Sequence, residues 1–178
     1  MNVRVGLGFD VHPFVGEGDG DIDGRPLVLG GVTIEGAPGL QGHSDADVVA
    51  HAVADALLGA AGLPDLGTLF PASDDEHAGA SSLGFLEEVA ARLQAGGCRI
   101  VNVDVVIAAE TPRLAPHLDA MVANLSSALS ASRGGDADAV PVSVKPKRAE
   151  GLGAIGRAEG IAAWAVALVE HGIWPEAS

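Results

Sequence analysis

The 178-residue chain has room for one domain of ordinary size and little left for a second core. Ten Lys and Arg against 24 Asp and Glu leave a net charge of −14, which argues against a nucleic-acid partner and against an acidic membrane leaflet. The longest apolar run, Ile161 to Val169, is too short to span a bilayer, so no membrane partner is expected.

Hydrophobic residues make up 48% of the chain but aromatics only 3%, so the apolar share leans on alanine and valine. Small side chains bury little area each, and burial between subunits is the expected supplement. A single cysteine, Cys98, cannot form an internal disulfide and reads as a core residue, and the start shows no signal-peptide pattern. A reducing, cytoplasmic setting is expected.

In chain order, Val3 to Phe9 and Pro26 to Ile34 read as strands, separated by an acidic glycine-rich loop over 16–24. The spacing predicts a helix from His43 to Gly62 and another from Ser81 to Gly96, opened by serines and closed by Gly96-Gly97. Arg99 to Ala108 is the clearest strand, Leu114 to Leu129 a helix, 132–139 a polar loop, Val140 to Lys145 a strand, and Arg157 to His171 a closing helix. Strands interleaved with helices predict an α/β (α+β) fold: a single layer of mixed sheet covered by helices on one face, the other face needing a partner.

Three groups of residues carry chemistry. Asp10-Val11-His12 follows the first strand, and alternation points one carboxylate and one imidazole to the same side. His43, Asp47, His51 and Asp55 recur every four residues, a helical stripe beside the apolar face of Val49, Val53, Ala56 and Leu57. Asp10 and His12 with His51 supply one carboxylate and two imidazoles, a Zn²⁺ ligand set with a fourth position open. Asp47 or Asp55 is placed to orient an imidazole, and His43 and Ser44 to meet phosphate oxygens.

The third group is the run from Lys145 to Arg157, which holds Lys145, Lys147, Arg148 and Arg157 among glycines; an anion cradle and a turn with exposed charges are both open readings. Gly151-x-Gly153-x-x-Gly156 also spells the dinucleotide fingerprint, but only 22 residues follow it, read here as a helix without the second strand that fold requires.

Gly8-Phe9-Asp10-Val11-His12, His43-Ser44-Asp45-Ala46-Asp47 with His51, Asp65-Leu66-Gly67 with Leu69-Phe70-Pro71, Thr111-Pro112-Arg113 with Pro116-His117, and Glu150-Gly-Leu-Gly with Gly156-Arg157 stand in an order that closely resembles the 2-C-methyl-D-erythritol 2,4-cyclodiphosphate synthase family. The resemblance runs from Gly8 to Gly160 and implies one such domain over residues 1–178. It implies a homotrimer with sheets around a central cavity and active sites at subunit interfaces. The implied activity is a lyase step of non-mevalonate isoprenoid biosynthesis, in which 4-diphosphocytidyl-2-C-methyl-D-erythritol 2-phosphate cyclises as its own 2-phosphate expels CMP. The nucleophile then belongs to the substrate, and catalysis is positioning plus charge neutralisation.

Carried across by motif, Asp10, His12 and His51 resemble the zinc ligands, and Glu150 the carboxylate that holds a second divalent cation, Mg²⁺ or Mn²⁺, on the diphosphate. His43 matches a transition-state stabiliser, while Ser44 and the stretch Asp65, Leu66, Gly67 match the sugar-binding part. Phe70, Pro71 and Asp74 fall in an adjoining substrate-binding run. Pro112 and Arg113 match the segment that receives cytidine, with Lys147 beside it, and Arg157 matches an arginine at the cavity rim.

Three stretches depart from the family pattern. Pro146-Lys147-Arg148-Ala149 stands where the family has Ala-Thr-Thr, and Arg148 takes the place of the threonine that stabilises the transition state. Ala72 replaces an Asp, with Asp74 retained, and Ala154-Ile155-Gly156-Arg157-Ala158 replaces Phe-Thr-Gly-Arg-Gly. Two rival readings remain: a zinc-dependent hydrolase of phosphoesters or diphosphates, and a catalytically degenerate trimer that binds isoprenoid-like ligands.

Overall fold

The computed structural model describes residues 2–16, 24–42, 44–71, 79–131 and 139–171. His43, Asp74 and most of the two expected loops lie outside these residues. The elements are β1 (Asn2–Pro13), β2 (Pro26–Leu29), β3 (Val32–Pro38), α1 (Val48–Ala61), α2 (Leu66–Leu69), α3 (Ser82–Ala95), β4 (Cys98–Ala108), α4 (Leu118–Ser130) entered through a 3-10 turn at Ala115–His117, β5 (Val142–Lys147), α5 (Gly153–Gly156) and β6 (Gly160–His171).

β1, β6, β4 and β5 form one mixed sheet in that order, antiparallel except for the β4–β5 pair. The expected closing helix is therefore a strand, and it lies between β1 and β4. Its alanines suit a helix locally, but every second residue, Ile161, Ala163, Ala165, Ala167 and Val169, is fully buried, while Trp164 and Val166 are exposed. That period of two, with hydrogen-bonded neighbours on both sides, overrides helix propensity. The dinucleotide fingerprint still fails, because its glycines open only the four-residue α5.

The stretch expected as one strand from Pro26 to Ile34 is a hairpin. Gly30 and Gly31 have φ of 56° and 70°, the pair of positive angles that a two-residue turn between antiparallel strands requires. The helix expected from His43 starts at Val48 instead. Asp47 is its N-cap: the buried carboxylate accepts the N–H groups of Val49 and Ala50 at 3.0 and 3.1 Å and those of Gly30 and Gly31 at 2.9 and 2.7 Å. One side chain thus ties the hairpin turn to the start of α1. Burial raises its carboxyl pKa, and the backbone donors oppose that rise.

α1 lies directly on β1. A Cβ at Gly6 would fall 1.9 Å from the Ala56 carbonyl oxygen, and one at Gly8 1.9 Å from that of Ala52, so only glycine admits the helix this close. The face away from the helices carries Val3, Val5, Leu7, Phe9 and Val11 of β1 with Trp164 and Val166 of β6, all exposed. Phe9 and Trp164 touch there, with ring centroids 5.0 Å apart. Cys98 is buried, as expected.

Candidate metal centre and nucleotide pocket

The row of β1 residues facing the helices runs Gly6, Gly8, Asp10, His12. Because Ala56 sits over Gly6 and Ala52 over Gly8, the helix is aligned so that His51, one residue before Ala52, arrives over Asp10. Asp10 Oδ2 is 2.9 Å from His51 Nδ1 and 3.1 Å from His12 Nε2. Ligand atoms of all three residues lie within 4.8 Å of one another, each half-buried. The rings of His12 and His51 stand 5.8 Å apart at 59°.

Burial is the largest single influence on the Asp10 carboxyl and would raise its pKa. Hydrogen bonds and charge from the two imidazoles together outweigh burial and hold it well below the usual carboxylate range. Asp10 in turn raises His12 above an ordinary histidine, against burial and with help from a backbone hydrogen bond to Gln41. One carboxylate and two imidazoles, converging and partly open to solvent, are a donor set suited to a divalent cation.

The other expected ligand-orienting groups do not reach the imidazoles. Asp47 is spent on the cap described above, and Asp55 accepts the Leu66 N–H at 2.8 Å, anchoring α2. Of the predicted four-residue stripe, only His51 and Asp55 lie on the helix, on its one partly exposed line. His51 Nε2 meets instead Ser82 Oγ at 2.9 Å and Ser44 Oγ at 3.2 Å. Ser44, expected to hold the sugar, thus turns its buried hydroxyl to the histidine.

Asp65 caps α2 through the Thr68 N–H at 2.7 Å, which leaves Leu66 half-buried and Gly67 exposed. Phe70, beside the exposed Pro71, stacks on Phe85 with centroids 4.8 Å apart.

The C-terminal ends of β4 and β5 frame a cavity of about 520 Å³, lined among others by Glu110, Pro112, Arg113, Lys147 and Arg148. The Arg148 guanidinium is paired with Glu110, with Nε 3.1 Å from Oε1, and holds that carboxyl below its usual range; the backbones of Gly151 and Ala149 contribute. Arg148 is therefore committed to the pocket wall.

Of the two open readings of the 145–157 run, the separate ion pairs of Lys145, Arg148 and Arg157 favour a turn with exposed charges. Lys145 pairs with Asp104 on the uncovered sheet face, and Arg157 with Glu159 at 2.6 Å. Exposed Glu150 follows that wall with φ of 53°, a left-handed turn conformation.

The sequence reading passed over Ser82, Asp45 and Glu110. Ser82 and Asp45 carried signals, a helix-opening serine and a motif aspartate, but neither pattern says which imidazole it meets.

The YgbB family profile matches residues 3–170. A 2-C-methyl-D-erythritol 2,4-cyclodiphosphate synthase of Bordetella petrii is 49% identical over 171 residues, 95% of this chain and 98% of the relative. The chain belongs to the YgbB family of 2-C-methyl-D-erythritol 2,4-cyclodiphosphate synthases.

Solved synthase structures share the fold. The bifunctional IspDF of Campylobacter jejuni superimposes with a TM-score of 0.84 at 36% identity, covering 96% of this chain, which spans only 43% of that longer protein. A CDP complex of Plasmodium falciparum IspF gives 0.75 at 30% identity, covering 94% and 96% of the two chains. The family's mixed sheet with helices on one face is the architecture expected from sequence.

Proposed function

We propose that the chain converts 4-diphosphocytidyl-2-C-methyl-D-erythritol 2-phosphate to 2-C-methyl-D-erythritol 2,4-cyclodiphosphate with release of CMP, in non-mevalonate isoprenoid biosynthesis. The convergence of Asp10, His12 and His51 in a chain of this family carries the reading. These residues would hold Zn²⁺ or a similar divalent cation, and Glu150 a second, Mg²⁺ or Mn²⁺. Bound there, such cations supply Lewis-acid charge to the diphosphate oxygens. The substrate's 2-phosphate oxygen forms a bond to the β-phosphorus, and the bond from that phosphorus to the α-phosphate oxygen breaks, leaving with CMP. The protein's part is to hold both phosphates in line.

The cavity between the 109–115 segment and β5 suits a cytidine: Pro112 offers an apolar wall, and Arg113 and Lys147 add cations to the lining that suit a phosphate. The metal cluster is on β1 and the cavity beside β5, at opposite edges of the sheet. A homotrimer burying the exposed apolar face would let one subunit's cavity meet its neighbour's metal cluster around a central cavity. His43 is assigned to the transition state, Ser44, Asp65, Leu66 and Gly67 to the sugar side, and Phe70, Pro71 and Asp74 to the adjoining wall. Arg157 is assigned to the rim. The reading assigns one domain to residues 1–178 and a cytoplasmic setting, as expected for such an enzyme. Among the described residues, no helix is long and apolar enough to cross a membrane.

The test is incubation of the purified protein with metal ions and the cytidyl substrate, followed by phosphorus NMR. CMP with the cyclic diphosphate is the expected result. A linear diphosphate product identifies a hydrolase, and a metal-loaded trimer without turnover identifies the degenerate binder.

A further inference from the structure

We infer that Asp45 and Ser82 form a hydrogen-bonded relay that decides which nitrogen of His51 faces Asp10, making both of them positioning residues for the metal centre. The inference rests on the metal-centre reading above. Ser82 is almost wholly buried at the first position of α3. Its hydroxyl donates to Asp45 Oδ1, and its backbone N–H donates to Asp45 Oδ2 at 3.0 Å. Asp45 is itself held by its own N–H, which donates to the Ala80 carbonyl at 3.1 Å. The loop before α1 is thereby clamped to the start of α3.

A serine hydroxyl has one proton. With that proton committed to the Asp45 carboxylate, Ser82 Oγ has only lone pairs to offer His51 Nε2, 2.9 Å away. That contact is a hydrogen bond when Nε2 carries the hydrogen, and this is the arrangement we infer. Ser44 Oγ, 3.2 Å from the same nitrogen and 3.3 Å from Ser82 Oγ, accepts the Ala46 N–H, and with Nε2 protonated its own proton is free to go to Ser82 Oγ. In the neutral ring, Nδ1 is then a bare acceptor, and it stands 2.9 Å from Asp10 Oδ2, another acceptor. Two acceptors at that separation require a cation between them, a proton or a metal ion. The Asp45 carboxylate, one hydroxyl away from the ring, also makes the imidazole a stronger donor to that cation.

The test uses the full chain with zinc ions alone as the probe, its affinity read by competition with a chelator. Ser82→Ala is expected to weaken zinc binding roughly ten- to a hundredfold, and Asp45→Asn by a smaller factor. Ser82→Thr keeps the hydroxyl and should stay within about threefold of the parent. Nitrogen-15 NMR of the zinc-loaded protein should show the proton on His51 Nε2 and the metal on Nδ1. Unchanged zinc affinity in Ser82→Ala, or a His51 protonated on Nδ1, overturns the relay. If the parent protein binds no zinc, the metal-centre reading fails. The relay is then decided by the nitrogen-15 spectrum of the metal-free parent protein, where Nε2 should carry a hydrogen directed at Ser82 Oγ; a bare Nε2 overturns it. That last measurement also stands if Ser82→Ala does not fold.

Discussion

The cluster at Asp10, His12 and His51 and the basic stretch from Lys145 to Arg157 both crowd charged groups together, and they are built in opposite ways. At the cluster, each side chain is half-buried and held from behind: buried glycines set the helix height, buried Asp47 pins the start of α1, and buried Ser82, itself bonded to Asp45, grips the far side of His51. Along the basic stretch, Lys145, Arg148 and Arg157 are exposed and each is paired with one acid on a neighbouring strand or turn. Exposed pairs of this kind contribute little to stability. The lesson is that the Asp10, His12 and His51 cluster is over-determined by the fold, whereas the basic stretch rests on exposed pairs that the fold does not fix as firmly.

The contrast can be broken most severely at Gly8. Gly8→Ala drives a methyl into the Ala52 carbonyl, lifting α1 off β1; a loss of about 3 kcal/mol is expected, read as a fall in melting temperature. Removing a ligand should act on chemistry without that collapse. His12→Ala or His51→Ala is expected to abolish stoichiometric zinc by elemental analysis and to cut turnover on the order of a thousandfold, with assembly retained in light scattering.

Two substitutions sharpen the comparison. Leu7→Asp, on the uncovered face, should give a monomer in sedimentation that still binds zinc but has lost turnover, which tests the proposed meeting of the metal cluster with a neighbouring subunit's pocket. Arg148→Thr, at the pocket wall, should raise KM for the cytidyl substrate roughly three- to tenfold and leave kcat within about twofold, since the guanidinium is tied to Glu110 in that wall. A fall in kcat at constant KM would show the guanidinium acting at the transition state.

The smallest effect is expected at Asp104. The hydrogen bond from Lys145 comes first among the causes that place its carboxyl below the ordinary 3.8. A depressed carboxylate adds stability that is present above the unfolded value and fades as pH falls through the native one. Asp104→Asn should therefore flatten the stability curve only below about pH 4, by a few tenths of a kcal/mol after screening, as read by urea melts across pH.

How much of this was legible depends on whether the deciding contact is local. β1, β4, α3 and α4 follow their residue patterns to within a few positions, because periodicity and capping are properties of neighbours in the chain. Asp10, His12 and His51 are legible as a ligand set because motif spacing and side-chain chemistry agree. β6 is misread because alanine favours helix in isolation; the alternation of Trp164 and Val166 with Ala163, Ala165 and Ala167 is the signal that competes with it. The Gly30-Gly31 turn hides inside an apolar run. The bonds of Asp47 to Gly30 and Gly31, and of Ser82 to Asp45 and His51, join residues brought together across the fold, which no spacing encodes.

The floor beneath α1 is made of Gly6 and Gly8 on one strand and Ala163, Ala165 and Ala167 on the next. That row works as a shim: its thickness sets how far His51 stands above Asp10. It also makes the interior lopsided in its tolerance. A methyl removed from the alanine row leaves a small gap, but a methyl added to the glycine row moves an imidazole, so drift in this part of the core is free to run toward smaller side chains and barred from running toward larger ones.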